Sequence, residues 1–237
     1  MTGVTVVCTT YFPPGPIGRR RAQESLEAIA SWRRHIGHDD WFRLHIADDG
    51  SDMDHWLHFT RALEHRAPSG KIASGFTISR QARRGVGASL NAGFRLAFER
   101  HDQVLYAVDD WQLLHHFDLA PWVHLLDESP EDERHAVGMV RLGPPHPWLT
   151  GRVEMFKAGW ALRLDRHHFA FGHRPALYHR RFFEHYGAFA EGVNAYECER
   201  LFAEHFAFDS DGPDILLALP TPWSHVSTVE LADVEPS

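Results

Sequence analysis

The stretch V-L-Y-A-V-D-D-W-Q, Val104 to Gln112, runs an apolar segment straight into two adjacent aspartates and a tryptophan. Reading Gln103 to Val108 as a buried strand makes that ending a problem of charge. A carboxylate taken out of water is costly and a second one beside it repels the first, so something positive has to compensate both. Arginine and a metal ion are the candidates.

The segments around it repeat one pattern. Val4 to Thr10 is a continuous run rich in β-branched residues, which predicts a strand covered on both faces. Pro13-Pro14-Gly15-Pro16 forces a loop, after which Leu26, Ile29 and Trp32 recur at helical spacing between Ile17 and Ile36. Phe42 to Ala47 predicts a second strand, ending in Asp48-Asp49-Gly50-Ser51-Asp52, and a helix with Trp56, Phe59 and Leu63 on one face follows. A short strand around Ile72 to Ile78 leads through Arg83-Arg84-Gly85-Val86-Gly87 into a helix that aligns Leu90, Phe94 and Ala97. Such alternation predicts an α/β fold, a parallel sheet with helices on both faces. Ligands of these sheets bind beyond the carboxyl ends of the strands. Thr9 to Phe12, Asp48 to Ser51 and Asp109-Asp110 should therefore converge.

The 237 residues suit one large α/β domain or two small ones, and no linker, repeat or low-complexity segment divides them. No apolar stretch approaches the roughly 20 residues that span a bilayer. The start M-T-G-V-T-V-V-C lacks a signal peptide's basic region, so the expectation is a cytoplasmic protein without membrane insertion. The formal charge of −8 argues against a surface coated uniformly for nucleic acid. Arginine clusters at 19–21, 33–34, 83–84 and 180–181 are either solvated helix faces or phosphate-binding patches. Cys8 and Cys198 form no metal or redox pair, and 19 histidines include no zinc signature. A P-loop is absent, and Gly85 and Gly87 lack the third glycine of a dinucleotide motif.

Taken in order, T-T-Y-F after the first strand, A-D-D-G-S-D after the second, R-G-V-G-A-S-L-N-A-G at a helix start and Y-A-V-D-D-W resemble the GT-A nucleotide-sugar glycosyltransferases, particularly glycosyltransferase family two. The resemblance continues through R-P-A-L-Y-H-R-R-F-F-E-H-Y-G-A-F-A-E-G and Y-E-C-E-R-L-F to W-S-H-V-S. It implies a single GT-A (Rossmann-like) domain over 1–237 with a mostly parallel central sheet. Residues 1–110 would form the nucleotide-sugar-binding half and 111–237 the acceptor-binding half.

The resemblance also implies roles. Tyr11 would pack against the base of a nucleotide-diphosphate sugar, with backbone groups of Thr9 nearby. Asp48 or Asp49 would accept a hydrogen bond from base or ribose, and Arg84 would approach base or phosphates; the plain alternative for Asp48 to Ser51 is a capped turn. Asp109 would lie nearer the ribose. Asp110 would hold Mg²⁺ or Mn²⁺, hard cations suited to carboxylate and phosphate oxygens, with His225 as a further metal or diphosphate contact. Glu197 falls where the family places its catalytic base and Glu199 is the rival, since two residues apart on a helix they cannot point the same way. The chain has Asp109-Asp110 where the family usually has D-x-D, and Tyr196 where it usually has a carboxylate pair.

On the acceptor side Trp111, Trp148 and Trp160 can stack on a sugar or base, or can be core. Arg180 and Arg181, with Arg19 to Arg21, would contact phosphates if the acceptor were a hydroxymethylated base in DNA, flipped out onto Trp148. A small molecule or glycan is the competing acceptor. The competing function is a non-catalytic nucleotide- or carbohydrate-binding module on the same fold.

Overall fold

In the computed structural model, which describes residues 4–37, 42–65, 76–129, 136–144, 149–166, 172–209, 211–221 and 223–225, the alternation read from the sequence forms one large sheet. The first half of the chain gives β1 (Val4–Thr10), α1 (Pro16–His35), β2 (Ile36–Gly37), β3 (Phe42–Asp48), α2 (Met53–His65), β4 (Phe76–Arg80), α3 (Val86–Phe98) and β5 (Gln103–Tyr106). The second gives β6 (Trp111–Leu113), β7 (Phe117–Asp118), α4 (Ala120–Glu128), β8 (Val137–Arg141), β9 (Gly151–Phe156), β10 (Gly159–Leu164), β11 (Ala176–His179), α5 (Arg180–Tyr186), α6 (Ala195–Phe208), β12 (Asp214–Leu219) and β13 (Trp223–His225). Of the strand expected around Ile72 to Ile78, the described part is β4; residues before 76 lie outside the described ones.

The main sheet has nine strands in the order β4-β3-β1-β5-β11-β8-β12-β10-β9. Its first four are parallel throughout. β11 then runs antiparallel to both β5 and β8, β12 is parallel to β8, and the β9–β10 hairpin closes the sheet antiparallel to β12. The four parallel strands thus fall within residues 1–110, and the half after Trp111 is mixed. Reversal of β11 has a consequence for the site. Its first residue, Ala176, sits opposite Tyr106 and its last, His179, opposite Gln103, so the residues preceding β11 share an end with the carboxyl terminus of β5.

Every residue of β1 is buried, because apolar faces of helices cover both sides. On one face Leu26, Ile29 and Trp32 of α1 and Trp56, Phe59 and Leu63 of α2 pack with Trp122, Val123 and Leu126 of α4. On the other, Leu90, Phe94 and Phe98 of α3 pack with Phe182 and Tyr186 of α5 and Phe202 and Phe206 of α6. Phe94 is the hub there, with ring centres of Phe98, Tyr106, Tyr178, Phe183 and Phe189 between 5.1 and 6.3 Å away. Among the described residues no helix is long and apolar enough to cross a membrane.

Three histidines are held by this framework, His45 and His179 buried within it and His173 half-buried at its edge. His45 on β3 bonds through Nδ1 to Thr77 at 2.8 Å and through Nε2 to Ser79 at 3.0 Å. His179 caps α5, its Nδ1 accepting from the Arg181 backbone N–H. His173 stands edge-on to Tyr106 and near Phe189. Burial lowers each to about 4, with nearby arginines adding to the effect at His45 and His179. Since the unfolded chain takes up these protons nearer the ordinary value of about 6.5, stability is full above that pH and is lost as pH falls towards 4. A thermal midpoint that declines across this window, with a shallower decline in His45→Gln, is the expected result of unfolding scans at stepped pH.

Candidate functional site

The carboxyl ends of β1, β3 and β5 open into a cleft of about 840 Å³, within the usual range for small-molecule sites. Thr9, Tyr11, Asp49, Arg84, Asp109, Asp110, Trp111, Glu199 and His225 all line it. The four strand-end aspartates are compensated in four different ways.

Asp48 closes β3. Its Oδ2 accepts from the Ser51 backbone N–H at 3.1 Å and lies 3.1 Å from Arg80 Nε, and Oδ1 takes the hydroxyls of Thr10 and Ser51. It is 1% exposed and does not line the cleft, so of the two residues suggested as nucleotide contacts it is the one engaged in holding the turn. Gly50 at φ +78° lets that turn form without strain. Asp49 does face the cleft. Its carboxylate accepts from the backbone N–H groups of Arg84 at 2.8 Å and Gly85 at 3.0 Å, fixing the loop that enters α3. Gly85 has φ +89°, and an added Cβ would come within 2.6 Å of the Val193 carbonyl. The loop therefore packs against the segment leading into α6.

Asp109 is 4% exposed and bonds to Ser25 of α1 at 3.1 Å, with Arg21 Nη2 3.8 Å from its other oxygen. Burial raises its carboxyl to about 7 against the opposing pull of Arg21, and Asp110 adds to the rise. Asp110 differs from the other three. Its Oδ2 lies 3.1 Å from His225 Nε2, and its Oδ1 is buried with no hydrogen-bond partner. A carboxylate and an imidazole at this distance, with one buried oxygen unsatisfied, form a donor pair that fits a hard divalent cation. Among the described residues no third acidic, histidine or cysteine side chain completes a metal cage.

Tyr11 forms one wall, with the Arg83 guanidinium 4.3 Å from its ring centre and donating to its hydroxyl. Arg84 is drawn sideways to Glu191, whose carboxylate accepts a 2.9 Å hydrogen bond from the side-chain amide of Asn91 on α3. Trp111 is mostly core: it is 8% exposed, and Trp32 donates to its carbonyl at 2.7 Å.

The two glutamates separate in the order opposite to the sequence ranking. Glu197 lies in the first turn of α6, paired with Arg200 at 2.6 Å, and does not line the cleft. Cys198, Phe202 and Phe206 set the helix's buried face, and Glu199 is the residue this phase turns into the cleft. The His173 backbone N–H bonds its Oε1 at 2.7 Å, and burial raises its carboxyl above the ordinary glutamate value while that bond, Arg141 and Arg174 restrain the rise.

Arg180 and Arg181 also fall elsewhere. They follow β11 at the end of the sheet away from the cleft, where Arg180 pairs with Asp102 at 2.6 Å and Arg181 bonds the carbonyls of Leu126 and Ser129. In their place the reversed β11 brings His173 and Arg174, which precede it, into the cleft; Arg174 lies 5.7 Å from the Trp111 ring centre. Trp148 lies outside the described residues. Arg21, Ser25 and Arg83 were not singled out as donor-site residues from the sequence. Four-residue spacing of Arg21 and Ser25, beside the apolar stripe of α1, is the signal that could have found the first two.

No protein-family model matches the chain, and no curated protein matches it. Solved structures do. TarS 1–349 from S. aureus in complex with UDP-GlcNAc superposes with a TM-score of 0.57 at 14% identity, over 97% of this chain and 62% of that one. A mannosyltransferase from Pyrobaculum calidifontis in complex with GDP-Man and Mn²⁺ gives 0.53 at 16%, over 91% and 56%. GalNAc-T7 with UDP, GalNAc and Mn²⁺ gives 0.56 at 13%, over 97% and 44%. The fold is that of the GT-A glycosyltransferases. The chain spans less than two thirds of the length of these structures.

Because the buried Asp48 carboxylate anchors the turn, Asp48→Ala should remove about 1–3 kcal/mol of stability, leaving the Ser51 N–H and the hydroxyls of Thr10 and Ser51 without their acceptor. Urea unfolding measures this. Loss of no more than a surface substitution's effect would show that the turn holds without it.

Proposed function

We propose that this chain is a metal-dependent, inverting glycosyltransferase that moves a sugar from a nucleotide-diphosphate donor to a hydroxyl acceptor. The observation that carries the reading is the meeting of Asp110, with its unsatisfied oxygen, and His225 in the same cleft as the half-buried Glu199. UDP-GlcNAc, GDP-Man and Mn²⁺ in the neighbouring structures support a donor and an ion of this kind.

Asp110 and His225 would hold Mn²⁺ or Mg²⁺, which neutralises a diphosphate and stabilises the charge that develops as it leaves. Tyr11 offers the base an aromatic wall, while Asp49 keeps the backbone of Arg84 and Gly85 in place beside it. Asp109, tied to α1, fixes the direction of its neighbour Asp110. Glu199 takes the acceptor proton at Oε2, Oε1 being held by the His173 N–H. Its raised carboxyl is a stronger base than an exposed glutamate, as removal of a hydroxyl proton requires. Attack on the sugar from the face opposite the leaving diphosphate inverts the anomeric centre.

For the acceptor, Arg180 and Arg181 lend no support to a polynucleotide, because their guanidinium groups are spent on Asp102 and on helix carbonyls. A small molecule or a glycan suits the cleft better, with Arg174 over Trp111 on its wall.

Incubation with a panel of UDP- and GDP-sugars and Mn²⁺ should release free nucleoside diphosphate from at least one. Release from none, with tight nucleotide binding, favours the binding module instead. Asp110→Asn should weaken Mn²⁺ binding and turnover together. Glu199→Gln should keep donor affinity and lose transfer by about 100-fold or more, whereas Glu197→Gln stays within a few-fold of the parent. Equal activity of Glu199→Gln and the parent would remove Glu199 from the base role.

A further inference from the structure

Far from the cleft floor, the sheet ends at β9, which pairs only with β10 among the described strands. Natural sheets blunt such edges with charged side chains, proline, a bulge or a very short strand. β9 has no proline and no bulge: G-R-V-E-M-F is six residues long, pairs with β10 without a break in register from Gly151 to Phe156, and its two charges, Arg152 and Glu154, are of opposite sign. Its apolar side is also uncovered. Val153 is 56% exposed and Met155 71%, and Trp160, opposite Met155 on β10, is 54%.

We propose that β9 is the interface of a two-fold homodimer, in which the edge strands of two copies pair antiparallel about Val153 and join their sheets. The commitment to a second copy rests on the strand's own complementarity. An antiparallel two-fold centred on Val153 sets residue 152 opposite residue 154 of the other copy, and 151 opposite 155. Arg152 then faces Glu154 twice, opposite charges at cross-strand distance. Within each copy Arg152 already pairs with Glu154 at 2.7 Å and Glu154 also bridges Arg163, so the joint sets this balanced cluster, with Asp214 behind it, against its own copy. On the opposite face Val153 meets Val153, and Met155 meets Gly151. Gly151 has no side chain to obstruct the methionine, and its own Cβ position is closed by the Arg163 carbonyl 2.0 Å away. A shift of pairing by one residue loses the Arg152–Glu154 match and turns the apolar residues against the charged ones. Isologous pairing of this kind is closed, so it ends at two copies.

The whole chain should sediment at twice its 27.1 kDa mass in the micromolar range. Val153→Asp, which sets two like charges on the axis, should shift it to monomer with its thermal midpoint unchanged. Arg152→Glu should also weaken the dimer, whereas Arg152→Lys, which keeps the charge, should retain it; Glu154 is left in place because it holds Arg163, and this separates loss of pairing from loss of fold. Both native cysteines are buried, so Val153→Cys should give a covalent dimer on mild oxidation while Leu57→Cys does not. A parent chain that is monomeric throughout, or a dimer indifferent to both Val153→Asp and Arg152→Glu, would overturn the proposal.

Discussion

Four carboxylates lie at the ends of β3 and β5, and the cleft exists because each has been given a different means of remaining in a largely buried place. A hydrogen-bonded carboxylate beside a cation can stay charged; one without them protonates or disrupts its surroundings. Asp48 has Arg80 and two hydroxyls, Asp49 has backbone N–H groups, and Asp109 has Ser25 and Arg21. Asp110 has His225 on one oxygen and nothing on the other. Asp48 and Asp49 have donors on both oxygens, whereas at Asp109 burial outweighs Arg21 and raises the carboxyl to about 7. Only the fourth leaves a buried oxygen without a hydrogen-bond partner, and the proposed metal role of Asp110 rests on that oxygen.

The same compensation explains how much of the site was legible. Strand ends and their acidic residues follow from local pattern, so Asp49, Asp109 and Asp110 could be read as a converging set. Strand direction could not. Residues 180–181 and 173–174 flank the same strand, and only the antiparallel pairing of β11 decides which pair reaches the cleft. Nothing in A-L-Y-H distinguishes a parallel strand from an antiparallel one buried on both faces, since both are continuous apolar runs.

The glutamates of α6 were more recoverable. Cys198, Phe202 and Phe206 recur every four residues, and Glu197, Arg200 and Glu204 form a charged stripe bonded along its length. Glu197 therefore belongs to a solvent face by its spacing alone. Family register pointed to Glu197, and helix phase points to Glu199. The proposed base role of Glu199 rests on that phase, because a side chain's direction on a helix is fixed by geometry.

The parallel and mixed halves share one sheet through β5 and β11, and specific side-chain bonds add to that join. Asn91 of α3 bonds the backbone of Phe189 in both directions and also holds Glu191, which in turn holds Arg84. The Gly192 N–H returns to the Arg84 carbonyl. The loop that enters α3 is thereby tied to the segment that begins α6, the helix that carries Glu199. A similar economy appears in α1, which buries Leu26, Ile29 and Trp32 and presents Ser25 and Arg21 to Asp109 from an adjoining face. Packing that sets the helix's rotation also sets the position of the Asp109 partners. Stability and site geometry in this half are consequently two readings of one docking event, and a core substitution in α1 is felt at Asp109 even though it touches no polar atom.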